Sequence, residues 1–315
     1  MNGNLSIFAT MLKSFFRRHP LILILMLIMN QCQEGPELIH FDIQGHRGAR
    51  ALYPENSLPG FAFAASIPIQ TLEMDLICTA AGEVLVSHEP WLNPEICLGP
   101  HGDTLKAPLN LFNWDLETIQ SCDCGQLPHP RFSNQRKMST FKPTLAQVVE
   151  KVARVPRPEG MPPVRFNAEI KHKANQVGTH HLTAAEAAQR VLSEIDRLQM
   201  TERITIQSFS ANVLEAVHEQ APEISTAWLM EDSLTFVEAL NLLSFLPNIY
   251  SPNHMLLSRE EIAQAHAMGV AVIPWTVNDA HRMVELINWG VDGLITDDPV
   301  AALQVVQQFQ HPAQF

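Results

Sequence analysis

From Phe41 to about residue 310 the chain alternates short apolar or β-branched runs with longer stretches of helical period. Eight runs read as strands: "FDIQ" (41–44), "TLEMDL" (71–76), "RFNAEI" (165–170), "RITIQS" (203–208), "ISTAWL" (224–229), "NIYSP" (248–252), "VAVIPWT" (270–276) and "VDGLIT" (291–296). Amphipathic stretches such as "LTAAEAAQRVLSEIDRLQ" (182–199) and "SREEIAQAHAMG" (258–269) lie between them. A strand followed by a helix, repeated, is the pattern of a parallel sheet wrapped by helices. Eight such units in one domain over residues 41–310 have the size of a closed (β/α)8 TIM barrel, an α/β fold. An open doubly wound sheet fits less well, because no glycine-rich dinucleotide loop follows the first strand.

Two segments break the rhythm. Residues 88–142, after the second strand, carry many prolines, three cysteines and no clear period, and read as an insertion on the barrel. Following a strand's C-terminal end, the insertion is expected beside the mouth where barrel active sites form. Its polar stretches "PHGDTLKAP" and "CDCGQLPHPRFSNQRK" offer no long apolar stripe for an acyl chain. Residues 1–31 stand apart as a leader. Lys13, Arg17 and Arg18 precede "LILILMLIM" (21–29), which is too short to span a bilayer at roughly 20 residues per helix but suits a secretory signal. Cys32 follows at once, so the segment reads as a signal or lipoprotein leader. The expectation is an exported protein of the periplasm or cell envelope, attached to the membrane by a lipid on Cys32. A plain cleaved signal and an uncleaved anchor are the other readings.

Composition narrows the partners. Lys+Arg 21 against Asp+Glu 33 gives a formal charge of -12, which argues against nucleic acid and fits a surface that binds cations or small substrates. In an exported chain, Cys97 with Cys122 or Cys124 can form a disulfide, and unbonded buried thiols are the alternative. Zinc is disfavoured because "CDC" lacks the two-residue spacer of common zinc sites.

Residues at the C-terminal ends of barrel strands meet at one mouth. That rule selects His46 and Arg47, Glu73 and Asp75, His88, Glu169 and Lys171, Gln207, Trp275 and Asn278, with Asp297 and Asp298 after the last strand. Glu73 and Asp75 are two apart in a strand and share a face, and Glu169 and Lys171 repeat the spacing. Taken singly, each acid reads equally as a salt-bridged carboxylate. Three converging carboxylates repel one another unless a cation joins them, and oxygen donors favour one hard divalent ion, Mg2+ or Ca2+. His46 and His88 form a natural acid–base pair, since a free imidazole titrates near ~6.5. Arg47 and Lys171 add fixed positive charge suited to a phosphate.

In this order "GHRG", "PENS", "LEMDL", "VSHE", "NAEIK", "QSF", "PWTVN" and "GVDGLITDDP" resemble the glycerophosphodiester phosphodiesterase family, over almost all of residues 43–300. The resemblance implies a (β/α)8 barrel that hydrolyses a small-molecule glycerophosphodiester to glycerol 3-phosphate and an alcohol. By the same resemblance His46 and His88 are general acid and base, and Glu73, Asp75 and Glu169 hold a divalent ion. Arg47 and Lys171 bind phosphate, Glu55 contacts the metal region or the substrate hydroxyls, and Trp275 covers the glycerol. "GVDGLITDDP" reads as the last strand and a turn into a helix capped by Asp297 or Asp298, structural in role. Two positions depart from the family pattern: Ser57 replaces a threonine, and Glu89 replaces the aspartate after the second histidine, which bears on how His88 is oriented. A lysophospholipase D-like substrate choice and an inactive barrel that binds phosphodiesters are the competing readings.

Overall fold

The computed structural model describes residues 41–310; the leader and Cys32 lie outside the described residues. The first elements are β1 (Asp42–Gly45), α1 (Leu58–Ser66), β2 (Thr71–Cys78) and β3 (Val84–Val86). Then come β4 (Trp91–Leu92), β5 (Leu109–Asn110), α2 (Leu116–Gln120) and α3 (Leu145–Ala153). From β6 (Arg165–Ile170) strand and helix alternate. They are α4 (Ala184–Arg197), β7 (Ile204–Ser208), α5 (Ala211–Gln220), β8 (Ser225–Met230), α6 (Phe236–Leu240), β9 (Ile249–Pro252), α7 (Arg259–Ala267), β10 (Ala271–Val272), α8 (Ala280–Trp289), β11 (Gly293–Thr296) and α9 (Pro299–Gln310). Among the described residues no helix is long and apolar enough to cross a membrane.

Eight strands lie side by side in the order β10, β9, β8, β7, β6, β2, β1, β11, each parallel to its neighbours. The two ends of that row meet. Asp292 N donates to Val272 O (2.9 Å), Ile295 N to Pro274 O (3.0 Å) and Val277 N to Ile295 O (2.8 Å), so the sheet closes into the expected (β/α)8 barrel. β10 is shorter than the predicted 270–276 because Pro274 has no N–H to give a ladder. The helices begin where the sequence sets reciprocal caps: Thr144 with Gln147, Thr183 with Glu186, Thr235 with Glu238 and Ser258 with Glu261. Each such box satisfies two backbone donors that the first helical turn leaves free.

Strand alternation sorts the side chains. Leu72, Met74 and Leu76 of β2 and Phe166, Ala168 and Ile170 of β6 join the core under the helices. The residues between them face the barrel interior. There Asp42 accepts from Gln44 Nε2 (2.9 Å) and Thr71 Oγ1 (2.7 Å), and Asn167 Nδ2 donates to Gln44 Oε1 (2.7 Å) and Gln207 Oε1 (3.0 Å). Gln207 Nε2 then donates to Glu73 Oε1 (2.8 Å). A chain of buried amides therefore runs up the interior and ends on a carboxylate at the mouth.

Three strands go beyond the eight expected: β4 and β5, which pair antiparallel inside the insertion, and β3 at the mouth. β2 runs two residues past the predicted 71–76, and β3 folds back antiparallel on it, pairing Leu76 with Val86 and Cys78 with Val84. Gly82, at φ 91°, makes the reversal, in a region that a side chain would strain. The return brings Ser87 N to Asp75 O (2.9 Å), which sets the next residue, His88, beside the strand-end carboxylates. Beyond it, residues 88–142 pack a small core of their own with Ile77, Leu85, Leu92, Leu111 and Ile119. Cys97 pairs with Cys124 there, while Cys78 and Cys122 remain buried thiols.

The disulfide closes a loop with a sequence separation of 27 residues, a closure worth roughly 3–4 kcal/mol by chain entropy. A Cys97→Ser/Cys124→Ser double variant should therefore be cut first within residues 88–142 under limited proteolysis, with the barrel helices cut later. Mass mapping of the early fragments checks this; a first cut in the barrel helices would contradict it.

Candidate active site

At the mouth, β1 ends in a turn that only a few residues tolerate. Arg47 has φ 50° and Gly48 φ 87°. At Gly48 a Cβ would stand 3.0 Å from the Gly60 carbonyl carbon, so the position excludes side chains on both grounds. The turn aims Arg47 N at Glu73 Oε2 (2.8 Å) and sends the Arg47 guanidinium between Glu55 (2.8 Å) and Asp75 (3.2 Å).

Glu73 and Asp75 from β2 and Glu169 from β6 each offer a carboxylate oxygen, and these oxygens lie within 4.8 Å of one another, all buried. Lys171 Nζ sits 3.1 Å from Asp75 Oδ1 and 2.9 Å from Glu169 Oε1. Asn56 Nδ2 donates to Asp75 Oδ2 (2.7 Å). Burial, then the charge of Asp75, raises the Glu73 carboxyl well above the usual range, and burial also raises Glu169. Burial would raise Asp75 too, but Lys171 and Arg47 override it and hold that carboxyl low. Asp75 Oδ1 accepts no hydrogen bond of good geometry, so Lys171 is its charge partner alone. Three hard oxygen donors, one without a hydrogen bond, and one acid pushed toward neutrality are a donor set that fits a divalent cation.

Each histidine has its own carboxylate. His46 Nδ1 lies 2.6 Å from Asp297 Oδ1, and its Nε2 points back to Glu73 at 3.9 Å. Burial, opposed by Asp297, pushes His46 down to about 4. Asp297 also receives Arg50 Nε (3.0 Å) and NH2 (3.1 Å) and Asn278 Nδ2 (2.8 Å). Despite burial, the hydrogen bond from His46 and the charge of Arg50 hold it ionised. His88 Nδ1 lies 2.8 Å from Glu89 Oε1, so the glutamate reaches the ring although the resemblance calls for an aspartate at this position. Lys142 Nζ donates to Ser87 Oγ (2.7 Å), which donates to Glu89 O (2.6 Å) and fixes that loop from below.

These groups surround a cavity of about 390 Å3. Of the residues that sequence picks out, His46, Arg47, Glu73, Asp75, His88, Glu169, Lys171 and Trp275 all line it. The Trp275 indole is pinned by its Nε1 bond to Ser251 O (2.9 Å) and meets Phe209 edge to face at 5.3 Å. Glu55 stands outside that cavity, behind Arg47, with Arg47 at 2.8 Å and His129 at 3.5 Å drawing it away from the three carboxylates. Asp297 corrects the structural reading of "GVDGLITDDP": it belongs to the His46 pair, whereas Asp298 caps the last helix by accepting from Val300 N and Ala301 N. Arg50 and Lys142 were also missed. Arg50 lies three residues beyond Arg47 in a segment with no strand period, and Lys142 lies at the end of the patternless insertion.

A family model described as the glycerophosphoryl diester phosphodiesterase family matches residues 46–301. A glycerophosphodiester phosphodiesterase of Caldanaerobacter subterraneus is 26% identical over 84% of this chain and 96% of its own. A solved structure from Silicibacter pomeroyi superposes with a TM-score of 0.77 at 25% identity, covering 87% of this chain and 95% of that one. An Oleispira antarctica phosphodiesterase, solved with the product sn-glycerol-3-phosphate, gives 0.68 at 18% identity, covering 84% and 96%.

The raised Glu73 carboxyl makes stability depend on pH. A folded pKa above the unfolded value means that the contribution is complete below the unfolded pKa, about 4.3, and is lost as pH rises toward and through the folded pKa. In chelator, the wild type should therefore lose stability between pH 5 and pH 8 more steeply than Glu73→Gln, which has no proton to release. Urea denaturation at the two pH values checks it, and equal slopes would contradict it.

Proposed function

The chain belongs to the glycerophosphoryl diester phosphodiesterase family, and from that premise we propose that it is a metal-dependent hydrolase, cleaving small glycerophosphodiesters to glycerol 3-phosphate and an alcohol. Phosphodiesterase activity of this class is the activity of the chain. The metal, the residue roles and the substrate range are the proposal. One observation carries it: three buried carboxylates, flanked by Arg47 and Lys171, form the floor of a cavity that also holds two carboxylate-paired histidines.

Glu73, Asp75 and Glu169 would hold one divalent ion, Mg2+ or Ca2+, which when bound supplies positive charge to the phosphoryl oxygens. Arg47 and Lys171 keep their protons in this acidic surround, and they bind the phosphate oxygens and the negative charge that grows on them. Asp297 fixes the His46 proton on Nδ1 and leaves Nε2 as an acceptor. His46, neutral at pH 7, takes the proton of the attacking oxygen as the new P–O bond forms. His88, oriented by Glu89, gives its proton to the alkoxide as the P–O bond to the alcohol breaks. Trp275, fixed by Ser251, offers a flat apolar wall to the glycerol carbons. The product bound to the Oleispira antarctica phosphodiesterase supports glycerol 3-phosphate as the recognised part.

Purified, chelated protein should be inactive on glycerophosphocholine and regain release of glycerol 3-phosphate with Mg2+ or Ca2+. Glu169→Gln should abolish turnover. His46→Ala and His88→Ala should each lose about 10²–10⁴ in rate, with a Tm close to wild type for His88→Ala. An acylated lysophospholipid should be much poorer than glycerophosphocholine, and the reverse order would make the lysophospholipase D-like reading the better one. Full activity in chelator would overturn the metal part.

We further propose that the chain is exported and lipid-anchored, on the strength of the basic stretch, the apolar run and Cys32 in sequence. Cys32→Ala should move it from the membrane fraction to the soluble fraction, and mass spectrometry of the mature N-terminus should find acylated cysteine in the wild type only.

A further inference from the structure

Beside the main cavity lies a second hollow of about 360 Å3, within the roughly 300–1,000 Å3 usual for small-molecule pockets. The two share a wall of His88, Glu169, Lys171 and Phe209. Trp275 and His46 line only the first, and Trp91, Gln176 and His181 only the second. A diester with its phosphorus beside that shared wall has one chamber for each of its two substituents.

The second chamber contains polar groups with nothing to bind. His181 is 4% exposed, and among the described residues its hydrogen bonds run through its backbone alone. His172 Nε2 and Gln176 Oε1, on residues lining the same chamber, are buried without partners. Such groups are uncommon in folded proteins and call for a water or a ligand. Burial, then the positive charges of His172, His180 and Lys173, pushes His181 down to about 4. Near neutral pH it is therefore an uncharged ring with one donor and one acceptor.

That inventory selects among alcohols. A hydroxyl both donates and accepts, so it can satisfy either tautomer of His181 and accept from the side-chain amide of Gln176. A trimethylammonium group offers neither, so the three acids of the lining, Glu89, Glu169 and Glu231, would hold it by charge alone, against Lys171 and Lys173. The indole of Trp91 gives the carbon skeleton an apolar face.

We propose that the chamber beyond His88 is the subsite of the leaving alcohol and that it takes a small polyhydroxylated alcohol, recognised by His181 and Gln176. The inference rests on the phosphodiesterase reading and adds the half of the substrate that the glycerophosphate end leaves open.

The test uses the full chain with its divalent ion and two diesters of one carbon skeleton, glycerophosphoinositol and glycerophosphocyclohexanol. The acidity of each leaving alcohol is the same whichever enzyme acts, so a change between variants in the ratio of their kcat/KM values reads the subsite. We expect His181→Leu and Gln176→Ala each to lower the inositol-to-cyclohexanol ratio about three- to tenfold, the loss of a neutral hydrogen bond. Gln176 is only half-buried, so its variant carries the test if His181→Leu does not fold. An unchanged ratio in the folded variants overturns the inference while leaving the phosphodiesterase reading intact. A wild type that releases glycerol 3-phosphate from neither diester overturns that reading, and the subsite with it.

Discussion

Everything at the barrel mouth answers to one constraint, the burial of Glu73, Asp75 and Glu169 with their oxygens within 4.8 Å of one another. Like charges so placed in a low-dielectric site cannot all stay ionised without compensation. The fold compensates in three ways. Arg47 and Lys171 bring positive charge to Asp75, and Lys171 to Glu169 as well. The Arg47 backbone N–H and the Gln207 amide hydrogen-bond Glu73, and Asn56 does the same for Asp75. The remaining strain appears as a Glu73 carboxyl pushed toward its protonated form. A barrel built for stability alone would fill this space with apolar residues, as Leu72, Met74 and Leu76 fill the other face of β2. The cluster is retained against the preference of the interior, which is where function is expected to override local rules.

The architecture was legible because its signals are local. Apolar runs fix the strands and threonine or serine caps fix the helix starts, each within a few residues, and both survive tertiary packing. What escaped was long-range. β3 exists because β2 overruns the barrel rim and needs a partner there, and its three residues Val84–Val86 carry too little period to announce themselves. The choice of Cys124 over Cys122 depends on how residues 88–142 pack, with Cys124 N held by Thr140 O, and no spacing encodes that.

At the site, the strand-end rule brought the chemistry together because parallel strands of equal register put their last residues in one ring. Glu73, Asp75 and Glu169 come from β2 and β6, which pair directly with Asp75 opposite Glu169. The rule could not tell Asp297 from Asp298, since both follow β11 and both are acids beside a helix start. Packing decided it: Asp297 turns inward to Arg50 and His46, and Asp298 turns to the helix backbone. Removing Asp297 would strip buried Arg50 of its hydrogen-bonded carboxylate and leave it only Glu55 at 3.9 Å, a loss of about 3–5 kcal/mol. The residue is therefore structural as well as chemical, and the sequence reading that assigned it to structure missed only half of its work.

The two histidines differ in a way that follows from who holds them. His46 is gripped by an aspartate on the barrel's own last strand end, and the two side chains are 13% and 2% exposed. His88 is held by its chain neighbour Glu89, and those side chains are 33% and 22% exposed. The first histidine is thus fixed by the closed sheet, with its proton position set by a buried anion. The second rides on a hairpin return and an insertion, anchored through Lys142 and Ser87, and stands between two chambers. On the proposed reading, in which a constant glycerophosphate is held and a variable alcohol released, this asymmetry has a use. The constant half can be built on strands, where register leaves no freedom, and the variable half belongs on the segment whose sequence the barrel does not dictate.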